Sequence, residues 1–572
     1  MSRLALGFSR LLSALAAAFA LSACATASEE SSRTALRETI QILALNDFHG
    51  HLEPAAGSTF WFAAGERQED HLGGAAQVGF VLGELRRGNA HSITVAAGDL
   101  IGASPLASAH FLDEPAIMAL NRMGLELAAV GNHEFDRGTA ELRRMQEGGC
   151  EKHTSRQPCA LDRPFEGARF TFLAANVVDE HGETLFPGTA IRDFGEARVG
   201  FIGMTLKDTD NLVAPTATAG YRFVDEVETA NAQARALQQV GADAIILLIH
   251  QGGRVDPLFN EAGCPGLSGE IVPILDGLDP AIALVVSGHT HAAYVCELAR
   301  SDGSRRLLTS AGRYGNFVTD IRMTVDPETD TVAAFSAVNR PIRSQSAEQP
   351  DIAELVQRYV EAADPIASRV VGRIDGSLES ASGLDAPLAN LVADAQWAAT
   401  RAEAEGAAQM AFINSGGIRT RFKPAADGSI TYGQIFALQP FGNTLVVLEL
   451  SGEQIRQVLE QQFTHNTPAR IRQSLLVPSA DLAFAFDRYA PPGRRIVDLK
   501  LSGEPVDPGR IYRVTVNNFL VSGGDGFSVF TEGRVVAEGG LDLDALEAFI
   551  ARGVRLPASG RIAEVSAAVP PS

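Results

Sequence analysis

The sequence predicts an α/β protein of two domains, and three observations lead to this expectation. The chain has 572 residues, which exceeds what one hydrophobic core usually supports, so two domains are expected. Its 45% hydrophobic and 20% charged residues are typical of a folded globular protein. Short apolar runs alternate with segments of helical periodicity, as in domains built on buried strands.

Five apolar runs in the first half predict core strands, and each is followed by a polar cluster. The runs are residues 40–45, 92–97, 125–130, 244–249 and 281–286. If these strands share one sheet, their ends bring distant polar residues to a common edge, where α/β folds place their sites. Convergence of the clusters is therefore expected.

A second α/β domain is predicted beyond a polar connection and one amphipathic helix. Its strands are expected at 409–414, 444–450, 495–501 and 512–516, with a helix at 452–463. The predicted division is a signal peptide at 1–24, a tether at 25–36, a catalytic domain at 37–342, a linker helix at 343–368, a second domain at 369–566 and a tail at 567–572.

The formal net charge of −21 argues against long nucleic acids as partners. A strongly acidic chain repels polyanions. A small phosphorylated ligand stays compatible with this charge, because a metal and a few arginines set the field inside one cleft.

The N-terminus has the pattern of an export signal. Arg3 and Arg10 precede an apolar stretch at 11–21, which is too short to span a bilayer. Leu21-Ser22-Ala23-Cys24 resembles the lipobox of bacterial lipoproteins, in which Cys24 would carry the lipid. Ala25 at the next position then favours the outer membrane. The alternative is ordinary cleavage after Ala27 and a soluble exported protein. Apart from this anchor, no membrane contact is expected.

Four cysteines remain when Cys24 is set aside, an even number in a chain that carries an export signal. Of the three possible pairings, Cys150 with Cys159 and Cys264 with Cys296 keeps each loop local, and this pairing is favoured over free thiols. A CxxC spacing is absent from the sequence, which argues against a cysteine zinc site.

The polar clusters after the five strands indicate a metal site. Asp47 and His49 alone would be read as a turn aspartate and a surface histidine. The domain also has potential ligands after each of its other four predicted strands, namely Asp99, Asn132, His250, His289 and His291. Imidazole, carboxylate and amide groups suit divalent ions such as zinc, manganese, cobalt or iron. Asp99 is the natural bridge between two such ions about 3.5 to 4 Å apart.

His133 is the predicted proton donor. It follows Asn132 directly and lies three residues before Asp136, whose carboxylate can orient the ring. A histidine placed in this way can stabilise a pentavalent phosphoryl group or protonate the leaving oxygen.

The ordered motifs DFHGH, AGDLIGASP, GNHEFD, HQGG and SGHTH resemble those of the calcineurin-like metallophosphoesterases. The resemblance implies one metal held by Asp47, His49, Asp99 and His291 and a second held by Asp99, Asn132, His250 and His289. It also implies that His133 and Asp136 form the catalytic dyad. In the 5'-nucleotidase branch of this family, the ligand at the position of His291 varies and can be an amide side chain.

Two glycine-containing stretches of the second half could bind a ligand. Asn414 to Arg419 reads NSGGIR, where Gly417 and its neighbour allow a close backbone approach and Arg419 offers paired hydrogen bonds. Phe519 and Asp525 lie in NFLVSGGDGF, and can stack on a base and bind ribose. Taken singly, the two stretches are equally compatible with a tight turn and a β-bulge.

Together with the segment 439–443 between them, these stretches resemble the C-terminal domain of 5'-nucleotidases. The resemblance implies a four-layer α/β/β/α catalytic domain, a linking helix and a nucleotide-binding domain whose rotation brings substrate to the metals. It implies nucleotide binding by Asn414, Gly417, Arg419, Phe519 and Asp525. A first aromatic ring for the base is not evident, because segment 472–479 offers Leu475 there. Weaker base discrimination follows.

The predicted function is therefore metal-dependent hydrolysis of nucleotide phosphate esters by an exported monomer. Nucleoside monophosphates are the leading substrates, with UDP-sugars and 2',3'-cyclic nucleotides left open. One alternative keeps the metals but changes the substrate to a non-nucleotide ester, as Leu475 allows. Another is a surface lipoprotein that binds nucleotides without turnover, which would predict a damaged dyad or missing ligands.

Overall fold

The computed structural model describes residues 38–565, apart from residues 56, 64–65, 155, 214, 256–263, 301–302, 327–330, 377–386, 421–423 and 464–474. The predicted signal peptide with Cys24, the tether and the C-terminal tail lie outside the described residues.

The first half of the chain forms two six-stranded sheets that pack face to face. In spatial order, the strands of the first sheet are Thr331–Pro341, Phe317–Asp326, Glu38–Leu45, Ser92–Ala97, Leu127–Ala129 and Thr171–Leu173. Those of the second sheet are Ala293–Ala299, Arg305–Ala311, Ile282–Ser287, Ala244–His250, Ala197–Thr205 and Thr189–Phe194.

The five strands predicted from the sequence are present, but they divide between the two sheets. Glu38–Leu45, Ser92–Ala97 and Leu127–Ala129 run parallel in the first sheet, and Ala244–His250 and Ile282–Ser287 run parallel in the second. The assumption of one shared sheet is therefore wrong. The polar clusters still converge, because the two sheets stack with the carboxyl ends of these strands at the same edge. At this edge His250 Nδ1 of the second sheet donates a hydrogen bond to the Ala97 carbonyl of the first.

Alternating burial along the strands explains the stacking. Ile42 and Val95 of the first sheet contribute to a core shared with Ile246 and Leu248 of the second. Residues of opposite parity, such as Leu43, point to the other face of their sheet and pack under helices. Each sheet thus has one face toward the other sheet and one toward helices, which confirms the predicted four-layer α/β/β/α arrangement.

Helices cover both outer faces of this sandwich. The helices of the first half are Ala75–Arg86, Leu106–Ala109, Glu114–Met123, Thr139–Glu147, Glu226–Gln239 and Ile271–Gly277. The helix Glu226–Gln239 is capped by Asp225, whose carboxylate accepts hydrogen bonds from two backbone amides of the first turn. Small two-stranded sheets pair Thr59–Ala63 with Glu66–Asp70 and Arg222–Phe223 with Val177–Val178.

The helix Pro350–Ala367 connects the two halves. Its buried residues Ile352, Leu355, Tyr359 and Ala363 recur every three or four positions, so they share one face. That face packs into the core under the first sheet. The helix also contacts Tyr432–Leu438 of the second half.

The second half is an α/β domain with its own core. The five-stranded sheet has the order Leu476–Pro478, Met410–Asn414, Ile511–Asn517, Thr444–Ser451 and Arg534–Leu541. A four-stranded sheet contains Glu504–Pro505, Ile496–Leu501, Leu482–Phe486 and Ile562–Glu564, and a three-stranded sheet contains Ser429–Thr431, Val370–Asp375 and Val554–Arg555. The helices are Pro387–Thr400, Tyr432–Leu438, Gly452–Gln461, Asn518–Val521 and Asp542–Ile550.

The two halves pack directly against each other. Leu106 and Ala109, on the short helix Leu106–Ala109 of the first half, are buried in the core cluster of the second half. The guanidinium of Arg156 lies 5.6 Å from the ring centroid of Phe436 in the second half. These contacts bring the two domains together close to the carboxyl edge of the sheets.

Two disulfides join the cysteine pairs favoured by the sequence, Cys150 with Cys159 and Cys264 with Cys296. Their Cα atoms lie 5.5 and 5.1 Å apart, within the usual range. The predicted pairing is confirmed. None of the helices in the described part of the chain has the length and apolarity that crossing a bilayer requires.

Candidate active site

The candidate site lies at the carboxyl edge of both sheets, in the loops that follow the five predicted strands. Asp47, His49, Asp99, His289 and His291 all have φ between +48° and +68°. Residues with a side chain rarely adopt this left-handed backbone, and such conformations concentrate at functional sites. The backbone turns sharply at these five residues, and their side chains lie at the carboxyl edge of the sheets.

The first side-chain cluster contains Asp47, His49 and His291. His49 Nε2 lies 3.2 Å from His291 Nε2, and His291 Nε2 lies 3.4 Å from Asp47 Oδ1. Asp47 is held from the second sheet, because the backbone amide of His289 donates to its carboxylate at 3.0 and 3.1 Å. Three potential ligand atoms from both sheets therefore face one point.

The second cluster contains Asp99, His250 and His289. His250 Nε2 lies 2.9 Å from Asp99 Oδ2. The same carboxylate oxygen lies 3.6 Å from His49 Nε2 of the first cluster. Asp99 thus lies between the two clusters, where a bridging ligand has to be.

The donor atoms fit a pair of divalent cations. His49 Nδ1 lies 2.9 Å from the Gly102 carbonyl and His250 Nδ1 lies 2.8 Å from the Ala97 carbonyl. A proton on each Nδ1 leaves Nε2 free to bind a cation, a common arrangement of histidine ligands. Asn132 Oδ1 is buried and has no hydrogen-bond partner among the described residues. A buried acceptor of this kind is costly unless a cation or water satisfies it.

The protonation states of His49 and His289 agree with this interpretation, whereas that of His250 reflects the charge of Asp99. Burial lowers the pKa of His49 well below its ordinary value and that of His289 to about 3, so both rings are neutral, the form that binds metals. Burial also lowers the pKa of His250, but Asp99 more than offsets it, and the pKa rises to about 9. The Asp99 carboxylate therefore creates a strong local preference for positive charge.

His133 and Asp136 meet beside these clusters, on the 3-10 helix His133–Phe135 and its C-cap. His133 Nδ1 lies 2.9 and 3.0 Å from the two carboxylate oxygens of Asp136. The His133 backbone amide donates to Asp99 Oδ1 at 2.9 Å. This leaves His133 Nε2 available to a substrate.

Glu134 is a buried residue of the site to which the sequence reading gave no role. Its carboxylate accepts hydrogen bonds from the backbone amides of Asp99, Leu100, Ile101 and Gly131, at distances from 2.5 to 3.3 Å. It therefore ties the loop that carries Asp99 to the loop that carries Asn132. Glu134 is part of the motif GNHEFD, but the motif does not indicate from which backbone amides its carboxylate accepts hydrogen bonds.

Replacing Glu134 with Gln is expected to lower metal affinity by about 10- to 100-fold, the usual cost of losing an outer-shell partner. The amide nitrogen of Gln would face a backbone N–H instead of accepting from it, so the two loops would separate. Metal content after dialysis at graded free zinc or manganese measures the effect. Glu147→Gln, on an exposed helix end, is the matched control. An unchanged metal affinity in Glu134→Gln would contradict the proposed tie.

A cavity of about 280 Å³ joins this edge to the second domain. The first domain contributes Asn132, His133, Asp136, Leu212, Val213 and His289; the second contributes Asn414, Gly416, Gly417, Arg419, Phe441, Asn443, Asn517, Phe519 and Asp525. All five predicted substrate-binding residues are among them. A larger opening of about 570 Å³, which includes Asp243 and Ile245, lies at the opposite ends of the strands and contains none of the predicted site residues.

The predicted residues of the second domain form a connected polar group. Asn414 Nδ2 donates to Asp525 Oδ2 at 2.7 Å, and Asn517 Nδ2 donates to Asn414 Oδ1 at 3.4 Å. Burial raises the pKa of Asp525, while Asn414 and Arg419 oppose this rise. The Arg419 charge also lowers the pKa of His49 and of His291, so its guanidinium lies close to the first cluster.

Five further side chains of the cavity were not predicted from the sequence, namely Leu212, Val213, Phe441, Asn443 and Asn517. Phe441 and Asn443 lie in segment 439–443, which carried the family resemblance but received no role. Leu212 and Val213 come from a loop of the first domain for which no motif was visible, and only the domain packing brings them here.

The expectation for Leu475 is wrong. Only 2% of Leu475 is exposed, and it packs in the hydrophobic core of the second domain with Phe463 and Leu476. It does not line the cavity and cannot pack on a base. The adjoining segment 464–474 lies outside the described residues.

Comparison with known proteins gives two family matches. Residues 40–293 match the model described as calcineurin-like phosphoesterase, and residues 366–532 match the model described as 5'-nucleotidase, C-terminal domain. The chain is 28% identical over 500 residues to Endonuclease YhcR of Bacillus subtilis, and 28% identical over 526 residues to Cell wall protein Lmo0130 of Listeria monocytogenes. These matches cover 84% and 87% of this chain but only 37% and 65% of the relatives.

Among solved structures, a 5'-nucleotidase precursor from Thermus thermophilus has a similar fold. The TM-score is 0.74 at 26% sequence identity, and the match covers 93% of this chain and all of that one. The similarity therefore includes both domains and their connection.

Proposed function

Because the chain belongs to the calcineurin-like phosphoesterases that carry a 5'-nucleotidase C-terminal domain, a family of metal-dependent phosphoester hydrolases, we propose that it hydrolyses nucleotide phosphate esters. The observation that carries the proposal is the shared cavity. His133 and Asp136 of the first domain line the same space as Arg419, Phe519 and Asp525 of the second.

In this proposal, two divalent ions such as zinc, manganese or cobalt are held by the residues assigned from the family motifs. Asp47, His49, Asp99 and His291 hold one ion, and Asp99, Asn132, His250 and His289 hold the other. Such a pair supplies Lewis acidity to the phosphoryl oxygens and an activated water for in-line displacement. The arrangement of both clusters around Asp99 supports the assignment.

His133 is proposed to act on the leaving oxygen or on the charge of the transferred phosphoryl group. Asp136 accepts a hydrogen bond from His133 Nδ1 and so keeps Nε2 directed toward the cavity. Burial lowers the pKa of His133, but Asp136 and Asp99 together raise it above its ordinary value. Asp136 and Asp99 therefore favour the protonated form that donation requires.

The second domain is proposed to hold the nucleotide. Arg419 offers paired hydrogen bonds to phosphate oxygens and places positive charge close to the first cluster. Asp525 and Asn414 offer polar atoms for ribose hydroxyls. Gly417 lets a ligand approach the backbone. Apolar contacts for a base come from Phe519, and the remaining apolar side chains of the lining are Phe441, Leu212 and Val213.

The size of the cavity favours a nucleoside monophosphate. Ligand pockets usually range from about 300 to 1,000 Å³, and this one has about 280 Å³. UDP-sugars and other large nucleotides are therefore expected to bind less well. A non-nucleotide ester is the second candidate, because Leu475 is buried in the core and does not line the cavity.

We also propose that the protein acts outside the cytoplasm. The two disulfides support this proposal, since disulfides persist in oxidising compartments. The same proposal includes a lipid on Cys24 and attachment to the outer membrane. It also includes a monomeric state and a division into domains at 37–342, 343–368 and 369–566. Mass spectrometry of the mature N-terminus tests the lipid.

The first test is hydrolysis by the purified protein of AMP, UMP, ATP, UDP-glucose and 2',3'-cyclic AMP. Phosphate release measures the first three, and chromatography of the products measures the last two, whose first cleavage frees no phosphate. Each assay is run as prepared, with chelator, and with manganese or zinc restored. Chelator-sensitive release, greatest with the monophosphates, supports the proposal. Protein that contains bound metal but hydrolyses none of them would refute the nucleotide assignment and favour the non-nucleotide ester.

Replacing Arg419 with Ala is expected to raise KM for AMP by about 10- to 100-fold, because a hydrogen bond to a charged group is worth about 1.5 to 3 kcal/mol. Steady-state kinetics measure KM and kcat. Arg510→Ala, which removes an exposed guanidinium of the same domain, is the matched control and should leave KM within about twofold. An equal, small effect of both substitutions would argue against phosphate binding by Arg419.

A further inference from the structure

We propose that Tyr294 is a positioning residue for the cation of the second cluster, and that it acts by holding together the two loops that carry His250 and His289. This inference rests on the proposed function, because it concerns the same two-metal site. Tyr294 is fully buried on the strand Ala293–Ala299. It lies three residues beyond the motif SGHTH and does not line the cavity.

The hydroxyl of Tyr294 lies between the two loops. The backbone amide of Gly253 donates a hydrogen bond to Tyr294 Oη at 3.1 Å, and Ser287 Oγ lies 2.7 Å from the same oxygen. Gly253 comes three residues after His250, and Ser287 comes two residues before His289. One phenol therefore joins the chain beyond one histidine to the chain that leads into the other.

The neighbouring groups set the direction of these hydrogen bonds. Ser287 Oγ donates its only hydrogen to the Thr309 carbonyl at 2.8 Å, so it accepts from the Tyr294 hydroxyl. The side chain of Ser310, opposite Tyr294 in the sheet, also bonds to this hydroxyl. Burial raises the pKa of Tyr294, so the phenol keeps the proton that it donates. A phenylalanine could make none of these hydrogen bonds.

Thr290 makes a second connection between the same loops. Its Oγ1 donates to the Gly253 carbonyl at 2.7 Å, so Gly253 is held at its amide by Tyr294 and at its carbonyl by a residue of the motif SGHTH. The loops are also in close backbone contact, because a Cβ atom added at Gly252 would clash with the Gly288 carbonyl oxygen. Glycine permits this approach, and the two hydrogen bonds maintain it.

The two histidines of the second cluster differ in how much they need this connection. His250 Nδ1 is held by the Ala97 carbonyl at 2.8 Å. Within the described part of the chain, the His289 ring has no hydrogen-bond partner. Its position therefore depends on its backbone, whose amide donates to the Asp47 carboxylate and whose loop is held by Tyr294. Metal ligands usually depend on such partners for their orientation.

The test is titration of the metal-free protein with Mn²⁺. Electron paramagnetic resonance of the unbound ion measures how many ions bind and how tightly. Tyr294→Phe keeps the buried ring and removes only the hydroxyl. It is expected to weaken binding of one of the two ions by about 10- to 100-fold, the usual cost of losing an outer-shell partner, and to leave the other within about twofold. Thr290→Val should weaken the same ion.

Tyr512→Phe is the matched control. Tyr512 is also buried, and its Oη accepts a hydrogen bond from the Asp507 amide at 2.9 Å in the second domain. Its substitution removes the same kind of hydrogen bond far along the chain from the ligands, so both Mn²⁺ affinities should stay at the wild-type level.

Activation by metal gives a second readout, with the nucleotide that the wild type hydrolyses fastest. In Tyr294→Phe, half-maximal activity should require about 10- to 100-fold more Mn²⁺, whereas kcat at saturating Mn²⁺ should stay within about threefold of the wild type. This separation is expected because Tyr294 acts on the retention of a cation and does not touch the substrate. A low kcat that saturating Mn²⁺ does not restore would contradict the inference.

A double-mutant cycle identifies the ion that depends on Tyr294. In a His289→Ala background, in which the second cluster has lost a ligand, Tyr294→Phe should change the affinity of the remaining ion less than about twofold. Unchanged affinities in Tyr294→Phe, or an equal loss in Tyr512→Phe, would overturn the inference. Wild-type protein that binds fewer than two ions would overturn it too. Wild-type protein that binds two ions but hydrolyses no nucleotide would refute the proposed function alone, so the two failures are distinguishable.

Discussion

Asp99→Asn is expected to lower kcat by at least about 10³-fold, more than loss of a single stabilising donor usually costs. Asp99 Oδ2 lies 2.9 Å from His250 Nε2 and 3.6 Å from His49 Nε2. One Asp99 carboxylate oxygen thus lies near an imidazole of each ligand cluster. Asn has one oxygen and no charge, so it cannot attract two cations equally.

Metal content distinguishes this effect from loss of folding. Asp99→Asn should bind less than the two ions per chain expected for the wild type, and its residual activity should need a higher metal concentration. Asp193→Asn, at an exposed carboxylate, is the matched control and should keep wild-type metal content and kcat. Full stoichiometry and full activity in Asp99→Asn would remove the bridging role.

His133→Ala is expected to lower kcat by about 10²- to 10⁴-fold, the range typical of general acid–base groups. The ring is held by Asp136 at Nδ1 and lies in the cavity next to Asn132. Because His133 is not assigned as a ligand, metal content should stay at the wild-type level. His181→Ala, on the surface, is the control. A loss below about tenfold would contradict the assigned role.

The pH dependence gives an independent measurement of the same dyad. Burial lowers the pKa of His133, whereas Asp136 and then Asp99 raise it, and the net pKa lies above its ordinary value. A required imidazolium is present below this pKa, so kcat should fall as pH rises through it. Asp136→Asn removes the strongest raising contribution and should move the falling limb to lower pH. A limb that moves to higher pH would exclude His133 as the proton donor.

Much of the fold could be predicted from local pattern. The runs at 92–97 and 244–249 are apolar enough to identify core strands without any tertiary information, and the structure places strands at Ser92–Ala97 and Ala244–His250. The division of the five strands between two sheets could not be predicted, because an apolar strand buried on both faces has the same composition in either sheet.

The candidate site likewise contains residues that could be predicted from local pattern and contacts that could not. Asp47, Asp99, His250 and His289 were predictable because their residue types and their positions after apolar runs indicate metal ligands. The hydrogen-bond partners of Glu134 and the stacking of Phe441 on His133 were not predictable from residue type and position. Leu475 is the opposite case: its position in the sequence led us to expect it in the cavity, but the side chain packs in the hydrophobic core.

Local sequence indicated the main core strands, the potential ligands, the dyad spacing and the favoured disulfide pairing. These properties depend on neighbours within a few residues or on residue chemistry. Tertiary structure alone decided which atoms meet. Contacts such as His49 with His291, or Phe441 with His133, join residues hundreds of positions apart, and they arise from the packing of whole sheets and domains, which local pattern does not encode.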